Sequence, residues 1–115
     1  MKILSWNVQG AKKSHFQQEV GFINRTIKPD ILILLETMVN ECNAAHIVKS
    51  LGYQFYETIS PHNHAGGIWL LWNTDDVEVN VIAKEARALH CLVYEKSSSK
   101  QRVFFCCLYT RSNSG

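Results

Sequence analysis

The sequence predicts an α/β fold built on one mixed β-sheet with two helices on one face. Three observations carry that reading. The chain opens strand, helix, strand, and the second strand is an unbroken apolar run, the pattern of a parallel βαβ unit. A second amphipathic segment follows directly. Beyond residue 53 the texture changes to short β segments separated by turn residues.

Residues 2–8 set Ile3, Ser5 and Asn7 against Leu4, Trp6 and Val8, the period of two of a strand with unlike faces. After Gly10, Ser14-x-x-Gln17 has the form of a capping box, and Phe16, Val20, Ile23 and Ile27 follow at helical spacing until Lys28-Pro29 ends the helix. Residues 31–35, Ile-Leu-Ile-Leu-Leu, read as a strand covered on both faces. A second helix is expected over 41–51, with Ala44, Ile47, Val48 and Leu51 on one side and Gly52 as its C-terminal cap. Strands follow at 53–58, 68–72, 77–82, 89–94 and 103–109, joined by a loop at 60–67, a tight turn at 73–76 and a polar hairpin connection at 97–101. The stretch 84–88 reads equally as a helical turn or an irregular link. Because 31–35 and 103–108 both look buried on two faces, while two helices cover one face of one sheet, a second layer from outside this chain is expected.

The 115 residues leave room for a single domain, 1–115, and 46% hydrophobic with 19% charged residues excludes disordered and fibrous classes. Formal net charge is +2, and Lys and Arg are scattered apart from Lys12-Lys13, so no basic stripe marks a dedicated nucleic-acid binder. A metal ion can offset phosphate charge instead, so phosphodiester substrates stay open. No stretch has the length of a secretory h-region or a membrane span, which points to an intracellular location. Cys42, Cys91, Cys106 and Cys107 lack CxxC spacing and read as small buried hydrophobes.

In open α/β sheets a site forms outside the carboxyl ends of the strands, which directs attention to Asn7, Glu36 and Tyr109. Glu36 closes an apolar run, where a carboxylate is costly unless it faces water, a cation or several donors. A metal ligand and a plain strand end are both open, and composition alone favours the strand end. Asn7 could orient a carboxylate through its amide or simply start the turn before Gly10. Tyr109 could offer its hydroxyl to a phosphate oxygen or be a core residue with a wet tip. His62 and His64 form a His-x-His pair with no further ligand at a usual spacing and are read as loop residues, while His90 reads as a hydrogen-bonded core or interface histidine. No Ser/His/Asp constellation, P-loop or dinucleotide turn is present.

The first strand with Ser5-Trp6-Asn7, and then Pro29-Asp30-Ile31 running into Glu36-Thr37, resemble the opening of the endonuclease/exonuclease/phosphatase (DNase I-like) superfamily. Downstream, Gly66-Gly67-Ile68-Trp69-Leu70-Leu71-Trp72, His90 and Leu108-Tyr109 resemble the endonuclease domains of LINE-type (non-LTR) retrotransposons, which accompany a reverse transcriptase. The likeness covers the N-terminal half of that domain. It implies half of a DNase I-like α/β sandwich. Asn7 would orient a carboxylate, Glu36 would bind the catalytic Mg²⁺ or Mn²⁺, and Tyr109 would contact the scissile phosphate of DNA. The family's later Asp-x-Asn and Ser-Asp-His motifs have no counterpart here, and Thr110-Arg111-Ser112-Asn113 stands where a proline commonly follows the tyrosine.

The resemblance therefore implies a truncated phosphodiesterase whose full-length relatives nick DNA, with the nucleus included among its locations. A fragment of a phosphatase of the same superfamily, and a non-catalytic retrotransposon remnant or interaction module, are the alternatives. The expectations that follow are weak cation binding, no nicking by this chain alone, and self-association through the sheet face opposite the helices.

Overall fold

A computed structural model describes residues 1–62, 65–73, 77–96 and 102–109. His64, most of the turn at 73–76, the connection at 97–101 and the segment after Tyr109 lie outside the described residues.

The opening forms the expected βαβ unit: β1 (Ile3–Asn7), α1 (Phe16–Thr26) and β2 (Ile31–Leu35), with β1 and β2 parallel and Asn7 opposite Leu35. The capping box does not form. His15 occupies the N-cap without a side-chain bond, and Gln17 instead donates to the Ser50 hydroxyl at 3.1 Å, tying α1 to the end of the next helix. That helix, α2 (Glu41–Lys49), is capped by Asn40, whose side chain accepts from the Asn43 amide. Gly52 follows at φ +88, a left-handed position suited to the chain reversal there.

The remaining strands are β3 (Phe55–Ile59), β4 (Ile68–Trp72), β5 (Val77–Lys84), β6 (Ala88–Glu95) and β7 (Arg102–Tyr109). They divide between two sheets rather than extending one. The first has the order β1-β2-β4-β3, with β4 antiparallel to both its neighbours, and the second is the antiparallel meander β5-β6-β7. The physical reason is that each strand after β4 pairs with its sequence neighbour, which closes hairpins on themselves and adds nothing to the first sheet. The ambiguous stretch at 84–88 is one of those hairpin turns, closed by the Glu85 amide donating to the Ala88 carbonyl at 2.9 Å.

Two cores result, one on each face of the first sheet. Leu32, Leu34, Trp69 and Leu71 pack under the helices with Phe16, Val20, Ala44 and Val48. Ile31, Ile33, Ile68 and Leu70 pack against Leu89, Cys91 and Val93 of β6. The face opposite the helices is thus covered by this chain's own second sheet, which corrects the expectation that an outside layer covers it. Each fully buried Leu or Ile contributes roughly 1.5–3 kcal/mol, so the two-sided burial of β2 and β4 accounts for much of what favours the fold.

The uncovered apolar surface lies elsewhere. Val103, Phe104 and Phe105 of β7 are exposed, against the expectation that 103–108 is buried on both faces. β7 is an edge strand of a sheet whose outer face carries no layer among the described residues. Of the cysteines expected as buried hydrophobes, Cys91 is buried, Cys106 and Cys107 are half-buried, and Cys42 on α2 departs from the expectation by being exposed. No helix among the described residues is long and apolar enough to cross a membrane.

Candidate functional site

The carboxyl ends of β1 and β2 lie side by side because the two strands are parallel and in register. Asn7 sits opposite Leu35, so it stands next to Glu36 across a strand spacing of roughly 5 Å. Asn7 is exposed on the β1 face that also carries Ile3 and Ser5, and Glu36 is half-buried.

The backbone around Glu36 is held from two sides. On one side the Val8 amide donates to the Leu35 carbonyl (2.9 Å), Gly10 to Glu36 (2.9 Å) and Ala11 to Thr37 (2.8 Å). On the other, the Met38 amide donates to the Gly66 carbonyl at 2.9 Å and the Thr37 amide to Gly67 at 3.4 Å. Within this clasp Gln9, Glu36 and Met38 adopt positive φ of 52°, 55° and 57°. A left-handed conformation costs a non-glycine residue roughly 1–2 kcal/mol, and such residues gather where function fixes a side chain.

Two residues that composition did not single out complete the clasp. Thr37 is fully buried, and Gly67, at φ +97, lies so close above it that a Cβ there would collide with the Thr37 hydroxyl. Gly67 is therefore required by both conformation and space. The Gly66-Gly67 pair was the available signal for it. Lys13 also borders this end, since the stem of its side chain lies over Gly10 beside Met38.

Tyr109 ends β7 opposite Ala88. Lys84, one pair away from that position, reaches Glu57 at 3.4 Å and Glu41 at 3.9 Å, so the Tyr109 end of the second sheet points toward the carboxyl end of β2. Its side chain, however, lies on the outer face of the sheet, edge-on to His90 with ring centroids 6.1 Å apart. A hydrogen bond with Cys107 raises the Tyr109 phenol above its ordinary range. The structure thus brings Asn7 and Glu36 together and turns Tyr109 to the other side of the second sheet. His62 is held in its loop by a backbone bond to Ala65, and His64 is outside the described residues.

Among the described residues no group of three or more His, Cys, Asp or Glu side chains is placed to hold a metal ion. Glu36 is a single carboxylate, and Mg²⁺ asks for near-octahedral oxygen ligation. These residues alone do not build a complete cation site.

No protein-family model and no curated protein matches the sequence. Solved structures do. The human Nocturnin catalytic domain with bound sulfate matches over 98% of this chain, with a TM-score of 0.54 and 17% identity. TDP2 from C. elegans matches over 97%, with a TM-score of 0.51 and 18% identity. The fold is DNase I-like. The chain spans 51% of that Nocturnin chain and 36% of that TDP2 chain, so what it presents is a partial DNase I-like sandwich of two helices and two sheets.

Proposed function

We propose that this chain is the N-terminal half of a metal-dependent phosphodiesterase domain of the endonuclease/exonuclease/phosphatase superfamily, nearest in kind to the LINE-type endonucleases that nick DNA. The observation that carries the reading is the paired clasp that fixes Asn7 and Glu36 at the carboxyl ends of adjacent parallel strands. That is where open α/β sheets place their chemistry. Glu36 supplies one carboxylate ligand to Mg²⁺ or Mn²⁺, and the Asn7 amide orients an oxygen ligand beside it. Tyr109 is the phosphate contact in this reading, and to serve its side chain must leave Cys107 and turn from the outer face of the second sheet toward the Glu36 end. What supports the LINE-type branch is the sequence resemblance of Gly66-Gly67-Ile68-Trp69-Leu70-Leu71-Trp72, the run whose glycines also hold the Glu36 segment in place.

One carboxylate leaves the isolated chain a weak cation binder without turnover. Titration with Mn²⁺, followed by the relaxation of water protons, should show weak binding that is lost in Glu36→Gln, while a supercoiled plasmid with Mg²⁺ stays intact. Equal Mn²⁺ binding by wild type and Glu36→Gln would remove Glu36 from the site. Nicking that Glu36→Ala abolishes would overturn the view that this half is incomplete.

A further inference from the structure

The outer face of the second sheet carries a group of side chains that the phosphodiesterase reading leaves largely unused. His90 and Cys107 are direct cross-strand partners on β6 and β7, and the Cys107 Sγ lies 3.1 Å from His90 Nδ1. The far nitrogen, Nε2, faces Glu85 Oε1 at 3.8 Å, an ion-pair distance rather than a hydrogen bond. Glu85 is placed by the β5–β6 hairpin turn, whose closing bond it donates. The imidazole is fixed by its aromatic neighbours, Phe105 at 6.2 Å and Tyr109 at 6.1 Å. Thiol, imidazole and carboxylate thus form one contiguous group, the sulfur nearer Nδ1 than Nε2 (3.1 against 4.0 Å), each held by a different element, and the Tyr109 hydroxyl bonds to the same sulfur.

We propose that Cys107 is a nucleophilic modification site for small soft electrophiles, with His90 as its base and Glu85 orienting the imidazole. With Nε2–H directed at Glu85, Nδ1 is left to accept the thiol proton. In the reaction with an alkyl halide the sulfur forms a bond to the halide-bearing carbon, the carbon–halogen bond breaks and the halide leaves. The thiol proton passes to His90. This is the general logic of a cysteine activated by an adjacent base. Cys107 is half-buried, open enough for a small reagent, whereas burial pushes the Cys91 thiol on the opposite face up to about 12 and leaves it inert. The site shares only Tyr109 with the phosphodiesterase reading, since Asn7 and Glu36 lie at the end of the other sheet.

Exposed Cys42 is an internal control, since reactivity governed by exposure alone would favour it. The native chain is treated with substoichiometric iodoacetamide at neutral pH, and each cysteine peptide is followed by mass spectrometry. Cys107 should react at least about tenfold faster than Cys42, and His90→Gln should remove that advantage. Glu85→Gln, at an exposed turn position, should slow Cys107 to a lesser degree, and it decides the matter if His90→Gln fails to fold by circular dichroism. Preferential labelling of Cys42 in the wild type would overturn the proposal. So would a Cys107 rate left unchanged by His90→Gln, or by Glu85→Gln where that variant decides.

Discussion

Gly67→Ala tests whether the clasp around Glu36 is held as described. Gly67 has φ +97, and a Cβ there meets the buried Thr37 hydroxyl and lies 3.4 Å from the Met38 amide nitrogen. The backbone share of the cost is that of a left-handed alanine, roughly 1–2 kcal/mol. The steric share is that of forcing volume into a packed site, roughly 1–3 kcal/mol. Together they predict a loss of about 2–5 kcal/mol in urea unfolding followed by circular dichroism. The two shares separate in a double-mutant cycle with Thr37→Ala, which deletes the colliding oxygen while keeping the backbone. In that background Gly67→Ala should cost only the backbone share, so the coupling between the positions equals the steric share. A Gly67→Ala loss below about 0.5 kcal/mol, the range of an ordinary surface change, would refute the close approach. An identical loss in both backgrounds would show that Thr37 is not what the alanine meets.

Phe16→Ala should destabilise by about 3–5 kcal/mol, because the ring is buried between Trp6 and Trp69 with centroids 6.0 and 6.1 Å away; thermal or urea unfolding measures it. Burial raises the Tyr53 phenol to about 12, and its hydroxyl donates to the Asn24 side chain at 2.6 Å. The stability this gives is fully present below the ordinary tyrosine value of about 10 and is lost as pH climbs through about 12. Tyrosinate absorbance should show a late-titrating component near that value that Tyr53→Phe removes. Self-association, expected from the sequence through the face opposite the helices, is now predicted through β7. Light scattering should show association at tens of micromolar, roughly, that Phe105→Lys reduces; a monomeric wild type would discard it.

That Asn7 and Glu36 would come side by side was legible because each ends a predicted strand, and the βαβ spacing between the strands already implied that they run parallel. The central burial of β2 was legible for the same reason: Ile31 to Leu35 has no polar face to offer. What the sequence could not display was partition. Nothing in the alternation of β5 and β6 distinguishes strands that extend a sheet from strands that fold over it, and that choice rests on which hairpins close. The facing of Tyr109 was hidden likewise, since Val103-Phe104-Phe105-Cys106-Cys107-Leu108 is apolar at both parities and only the pairing of Cys107 with His90 settles which side is out. The thiol–imidazole contact joins residues 17 positions apart and exists only in that register.

The double burial of β2 and β4 raises a question of alignment. In a sheet with one wet face, sliding a strand by one residue drives polar groups into the core, and that cost sets the register. Ile68-Trp69-Leu70-Leu71-Trp72 slid against Ile31-Leu32-Ile33-Leu34-Leu35 meets no such cost, because both sides are oily. Sliding in one direction would carry Ile68 into the place above Thr37 that only a glycine can occupy. In the other, Gly66 would arrive there without a clash, and what resists is shape: Trp72 would leave its stack on Phe55, 6.0 Å away, and Trp69 its pocket against Phe16. The glycine beside the candidate site is therefore also a one-way stop for the strand behind it, so substitutions there should disturb strand alignment and Glu36 together.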